Sequence, residues 1–202
     1  FSDLLLVILA LLIGFLLPIQ AQNKKVDDRI QLAREKYAEG LSLIAENAAD
    51  DYPLNYTIVV RQQNWAAVGQ RSDSIWFYYN ELREDEDEPY PDGYALRMVR
   101  YTYNQAALQH LEEYLFDDNG KPLFYFTRFE EVLMNTDMDY APVFEVRLYY
   151  DEAGKEIRAI YKMSDENGKM KEITEKSHPA IMEEICFSVR FSYVKKIFDA
   201  IY

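Results

Sequence analysis

The chain has 202 residues, of which 22 are Lys or Arg and 35 are Asp or Glu, giving a formal charge of −13. A field of that sign repels phosphate, and no run of Lys or Arg offsets it, so nucleic acid and anionic membrane surfaces are poor partners. Cys186 is the only cysteine, so no intrachain disulfide can form and stability must come from packing a 49% apolar, 15% aromatic composition.

Leu4 to Leu17 is apolar throughout and runs into Pro18, Ile19, Gln20 and Ala21 before the charges begin at Lys24. That core is shorter than the roughly 20 residues a spanning helix requires. Ile19 and Ala21 stand three and one residues before an Ala21/Gln22 junction, as in secretory cleavage sites. The expectation is a signal peptide over 1–21 and a single domain over 22–202, with no spanning segment after cleavage. Export without disulfides fits the periplasm or cell surface of a bacterium better than an animal secretory route.

From Lys24 to about Asn47, Val26, Ile30, Ala33, Tyr37, Leu41 and Ile44 recur at three- and four-residue steps among charged positions, which predicts an amphipathic helix. Gly40 weakens its centre by about 1 kcal/mol and suggests a bend. Asp50, Asp51 and Pro53 end it.

Strand-like segments follow near Tyr56–Arg61, Ser74–Leu82, Tyr94–Tyr103, Leu108–Phe116, Pro122–Phe129, Val143–Tyr150, Glu156–Met163 and Lys169–Thr174. One turn occurs three times between them, at Asp117–Lys121, Asp151–Lys155 and Asp165–Lys169, each Asp-x-x-Gly-Lys. The glycine spacing predicts a three-residue hairpin loop closed by a left-handed Gly, with Asp and Lys facing one another across the mouth. An EF-hand reading fails, because centring on Gly120 or Gly168 places Leu115 or Met163 at the first ligand position.

With Tyr114-Leu115-Phe116 and Tyr149-Tyr150 leading into two of the turns, Glu113–Leu123 and Arg147–Ile157 resemble the Tyr-rich hairpin repeats of bacterial MORN-like and YD-type secreted proteins. The resemblance implies hairpins. It covers about a tenth of the chain, the glycines keep no fixed period, and no functional residue is carried over.

From Ser177 onward helical spacing returns, with Ile181, Ile185, Val189, Tyr193 and Ile197 in one stripe and Phe187, Phe191, Val194, Phe198 and Ile201 beside it. Ser177 or His178 would cap this helix and Pro179 suits its first turn, while Glu183 and Glu184 near its start and Lys195 and Lys196 near its end complement its dipole. The fold class is therefore α+β: an N-terminal helix, a curved antiparallel sheet of seven or eight strands with half-barrel curvature, and a C-terminal helix packed on it.

The residue inventory carries no catalytic signature. His110 and His178 are the only histidines, too few with one cysteine for a His/Cys metal centre, and Cys186 sits in an apolar helical stripe. No nucleophile elbow, phosphate-binding loop or dinucleotide fingerprint occurs, so no metal, nucleotide or covalent cofactor is expected. Glu112, Glu113, Glu130, Glu131 and Glu145 read as outward, solvated strand carboxylates. The acidic run Glu84–Glu88 reads as a loop.

Aromatic residues are the remaining candidates. Consecutive rings at Trp76–Tyr79 and Phe124–Phe126 must point to both faces of their strands. The favoured origin of that pattern is a Tyr-rich core under two helices. The sharper alternative is a ring-lined sheet face using Trp76, Tyr78, Tyr101 and Tyr125 to hold a glycan, an apolar ligand or an envelope protein. The leading functional expectation is a non-catalytic exported binding protein of the bacterial envelope. A glycosidase-like hydrolase would require two facing carboxylates in a cleft, and a structural envelope component an exposed flat apolar patch.

Overall fold

Three copies of one turn pin the register of the sheet. In the computed structural model, which describes residues 2–49, 56–65, 69–85, 89–105, 108–130, 140–174 and 189–202 (2–23, 65, 69, 105 and 108 by their backbone), Gly120, Gly154 and Gly168 have φ of 69°, 77° and 76°. That is the left-handed region that side chains disfavour. Each glycine N–H donates to the carbonyl of the turn's Asp, and each Asp N–H donates to the carbonyl of its Lys.

The Asp side chain does not meet the Lys side chain across the mouth, as the spacing had suggested. Its Oδ1 accepts instead from the backbone N–H groups two and four residues on, at 2.9 to 3.0 Å in all three turns. Those donors are adjacent and already ordered, whereas a Lys stem would have to be immobilised. The carboxylates pair elsewhere, Asp117 with Arg29 at 2.9 Å and Asp165 with Lys171 at 3.0 Å. Burial pushes the Asp117 carboxyl up, but Arg29 and the two backbone N–H donors outweigh it and hold the group below the usual carboxylate range.

Gly120→Ala is expected to destabilise the protein by about 1 kcal/mol or more, through left-handed strain. Urea unfolding measures it, and a loss of only a few tenths would mean that the turn relaxes to another type.

The strands are β1 (Tyr56–Trp65), β2 (Gly69–Leu82), β3 (Gly93–Gln105), β4 (Leu108–Phe116), β5 (Pro122–Glu130), β6 (Val143–Tyr150), β7 (Glu156–Ser164) and β8 (Met170–Ile173). They form one open sheet in chain order, every neighbouring pair antiparallel. Helix α1 (Ser2–Ala49) covers one face, and α2 (Phe191–Ile201) the other. The α+β architecture expected from the sequence is thus present.

Both faces are buried, so the strands read as aromatic and aliphatic runs rather than alternations. On the α2 face, Phe77, Val99, Tyr101, Tyr114, Tyr125, Val146 and Leu148 meet Val194 and Phe198. On the α1 face, Tyr78, Met98, Leu115, Phe124 and Tyr149 meet Ile30 and Ala33. Bulges shift the register at Leu115/Phe116 and Tyr149/Tyr150. The extra residues, Leu123 and Ile157, both pack into the α1-face core.

Helix α1 starts at Ser2 rather than Lys24, since the upstream Leu and Ala residues are themselves good helix formers. The Ala21/Gln22 junction lies within it. Its contact stripe also differs by one position: Leu41 is exposed and Gly40 is buried. A Cβ at Gly40 would stand 2.6 Å from Met98 Sδ. The glycine therefore lets the helix backbone approach the sheet, and the helix continues through it.

At the other end, Val189 and Arg190 are non-helical and α2 begins at Phe191, so the helix expected from Ser177 is not continuous through these positions. Arg190 has φ of −130°, and its guanidinium lies over Tyr101 and toward Glu112 instead of along a helix. His178, Pro179, Ile181, Ile185, Cys186 and the proposed cap lie outside the described residues. No basic residue stands in the last turn of α2, and Lys195 pairs with Asp199 at 2.7 Å.

Candidate functional site

The four aromatic residues singled out from the sequence do not converge. Trp76 pairs across strands with Arg100, and Ile75 with Tyr101, so strand alternation sends Trp76 and Tyr78 to the α1 face and Tyr101 and Tyr125 to the α2 face. Tyr101 and Tyr125 are fully buried, and Tyr78 nearly so. Of the four, only Trp76 keeps partial exposure.

The α2 face holds a buried polar network. Asp73 accepts from Arg61 at 2.8 Å, Arg71 at 2.9 Å and the Tyr101 hydroxyl at 3.2 Å. Glu112 accepts from the hydroxyls of Tyr103, at 3.1 Å, and Tyr114, and lies 3.6 Å from Arg190. Burial pushes the Glu112 carboxyl up, resisted by Tyr114, Arg190 and Tyr103. The same burial, with Glu112 alongside, raises both tyrosines.

Glu112 and Glu113 are therefore not solvated strand carboxylates; they are 0% and 2% exposed. The physical reason is the second helix, which leaves the middle of β4 no solvent face. Adjacent in sequence, they point to opposite faces and cannot act as a pair. Glu113 is held by Arg100 at 2.7 and 2.9 Å and by the Tyr37 hydroxyl of α1. Glu145 is half-buried beside Arg147 at 2.9 Å, Glu130 is exposed, and Glu131 lies outside the described residues.

A row of rings crosses four strands on the α2 face. Tyr103 stacks on His110 at 4.6 Å, His110 on Phe129 at 5.5 Å, and Phe129 on Phe144 at 5.4 Å. Burial, followed by the nearby Arg71 cation, lowers the His110 pKa, which favours the neutral imidazole.

The accessible chemistry lies on the α1 face, where the strands extend past the helix. A groove of about 640 Å³ is lined there by Ser72, Ser74, Thr102, Asn104, Gln109 and two guanidinium groups, Arg100 and Arg128. Arg100 is fixed by Glu113. Arg128 is 56% exposed and 3.7 Å from Glu145, and Glu130 lines the groove beside it. Trp76 does not itself line the groove; it lies two residues along β2 from Ser74, directly across from Arg100, and packs partly buried against the α1-face core.

Sequence reasoning passed over these groove residues. Their signal was nonetheless present in the alternating polar pattern Ser72-x-Ser74 and Arg100-x-Thr102-x-Asn104, at the end of strands whose other half is apolar on both faces. Hydroxyl, amide and guanidinium groups donate to and accept from hydroxyl-rich ligands, and the Trp edge offers an apolar surface beside them.

The molecule is thus an α+β protein built as an eight-stranded antiparallel meander between two helices. Comparison with family models, curated proteins and solved structures finds no match. Among the described residues, counting those with described side chains, no helix is long and apolar enough to cross a membrane, and no three His, Cys, Asp or Glu side chains are grouped to hold a metal ion.

Proposed function

We propose that this chain is an exported, non-catalytic binding protein of the bacterial envelope, and that it holds a hydroxyl-rich ligand such as a glycan in the groove on the α1 face. The observation that carries this reading is the polar groove of about 640 Å³ lined by hydroxyl, amide and guanidinium groups, with Trp76 two residues along β2 from its Ser74. A ring beside hydroxyl and amide donors suits the apolar and polar faces of a sugar. Arg128 favours a ligand that also bears a carboxylate.

Calorimetry against glycans selected by array screening tests the reading. Trp76→Ala and Arg128→Ala should each weaken binding at least tenfold, about 1.4 kcal/mol, while Lys155→Ala on the distant β6–β7 turn should leave it unchanged. Binding that ignores both groove substitutions would overturn the site, and no binding across the array would overturn the ligand class. Export is tested separately, by sequencing the N-terminus of protein produced in a bacterial host, where the expected first residue is Gln22.

A further inference from the structure

The two edges of the sheet are unlike. β8 is four residues long and carries Lys171 and Glu172, the kind of short, charged edge that discourages pairing. β1 is ten residues long, with the β-branched run Thr57-Ile58-Val59-Val60 and no acidic residue in a strongly acidic chain. Among the described residues no strand pairs with its outer edge.

Exposed apolar surface gathers at the same edge. Ile58 and Val60 are 42% and 59% exposed and lie on the α1 face, where their cross-strand partners are Trp76 and Ser74. On the other face Tyr202, also exposed, shares a hydrogen bond with the Thr57 hydroxyl.

We propose that β1 pairs antiparallel with β1 of a second copy of this chain. Residues opposite one another must share a sheet face, so a two-fold axis normal to the sheet has to pass beside a single residue. An axis at Arg61 sets two guanidinium groups against each other. An axis at Val59 places Ile58 opposite Val60 of the second copy, and Val60 opposite its Ile58, so that all four exposed branched side chains cover one another. Thr57 then faces Arg61, and no like charges are opposed. The axis retains the face, so both grooves open on the same side of a continuous sixteen-stranded sheet.

Sedimentation velocity on the full chain tests this, from about 1 to 100 μM, because an edge-strand contact belongs to the small interface class with a Kd on the order of micromolar. Ile58→Lys with Val60→Lys should raise the dimer Kd at least tenfold, with thermal unfolding unchanged at concentrations well below the wild-type Kd, where association adds no stability, since neither position is in the core. The Ile58→Glu, Val60→Glu chain should likewise be monomeric, and an equimolar mixture of the two variants should recover the dimer. A wild-type monomer throughout this range, a dimer insensitive to the Lys pair, or a mixture that stays monomeric would each overturn the proposal.

Discussion

Arg190→Leu is expected to destabilise the protein by about 3 kcal/mol at pH 8, with the deficit shrinking as the pH falls toward 5. Glu112 is fully buried, and Arg190 is the cation nearest to it, at 3.6 Å. Arg190 is itself 35% exposed, but removing it leaves a fully buried carboxylate that the interior solvates poorly. The pH dependence follows from the direction of the shift. Burial raises the Glu112 carboxyl above its ordinary value, against Tyr114, Arg190 and Tyr103. The folded state therefore binds this proton more tightly than the unfolded chain, and stability from this group grows as pH falls through the folded value and levels off below the unfolded one. Deleting Arg190 removes an opposing influence and enlarges that slope. Urea unfolding at pH 8 and pH 5 measures both; equal deficits would show that the buried carboxylate is not the origin of the loss.

Phe198→Ala should cost about 3–5 kcal/mol, the range for emptying a large aromatic site in a packed core. The ring is 3% exposed, with its centroid 5.8 Å from Phe77, 5.7 Å from Tyr79 and 5.0 Å from Tyr202. With Val194 it is one of the two buried side chains of α2, so no neighbouring turn of the helix can take over its contacts. Denaturant unfolding gives the magnitude, and near-ultraviolet circular dichroism reports whether the surrounding tyrosines lose their fixed environments. A loss under 1 kcal/mol would mean that α2 contributes little to covering its face.

These residues also mark where sequence reading succeeds and where it stops. The strands were legible because turn chemistry is local: an Asp, a Gly three residues later and a Lys next to it dictate a hairpin whatever surrounds them. The run Phe124-Tyr125-Phe126 correctly implied that both faces are covered. The same inference, extended one strand, would have placed Glu112 and Glu113 indoors, since neighbours on a doubly covered strand have nowhere else to go. Leu41 and Gly40 could not be ordered from spacing alone, because which of two adjacent positions meets the sheet depends on how closely the helix axis approaches it. Trp76 and Tyr101 look alike as ring-bearing candidates, yet their faces depend on a pairing register that composition does not contain. The groove residues are hard to recognise for a related reason: Ser, Thr and Asn in a strand look like ordinary surface until the helix is seen not to line the groove they form.

The chain-order arrangement of the strands bears on how the molecule is assembled in time. Every strand pairs with its sequence neighbours, and three of the seven connections are the same tight turn, so the meander can form by successive short closures with little loop entropy lost at each. The helices are the distant commitments: Arg29 reaches Asp117 and the Tyr150 carbonyl, 88 and 121 residues away, and Tyr202 reaches Thr57 across 145. Because α2 follows every strand in the chain, a sheet formed during synthesis carries a bare aromatic face until that helix emerges. That interval is when the protein is most exposed to aggregation.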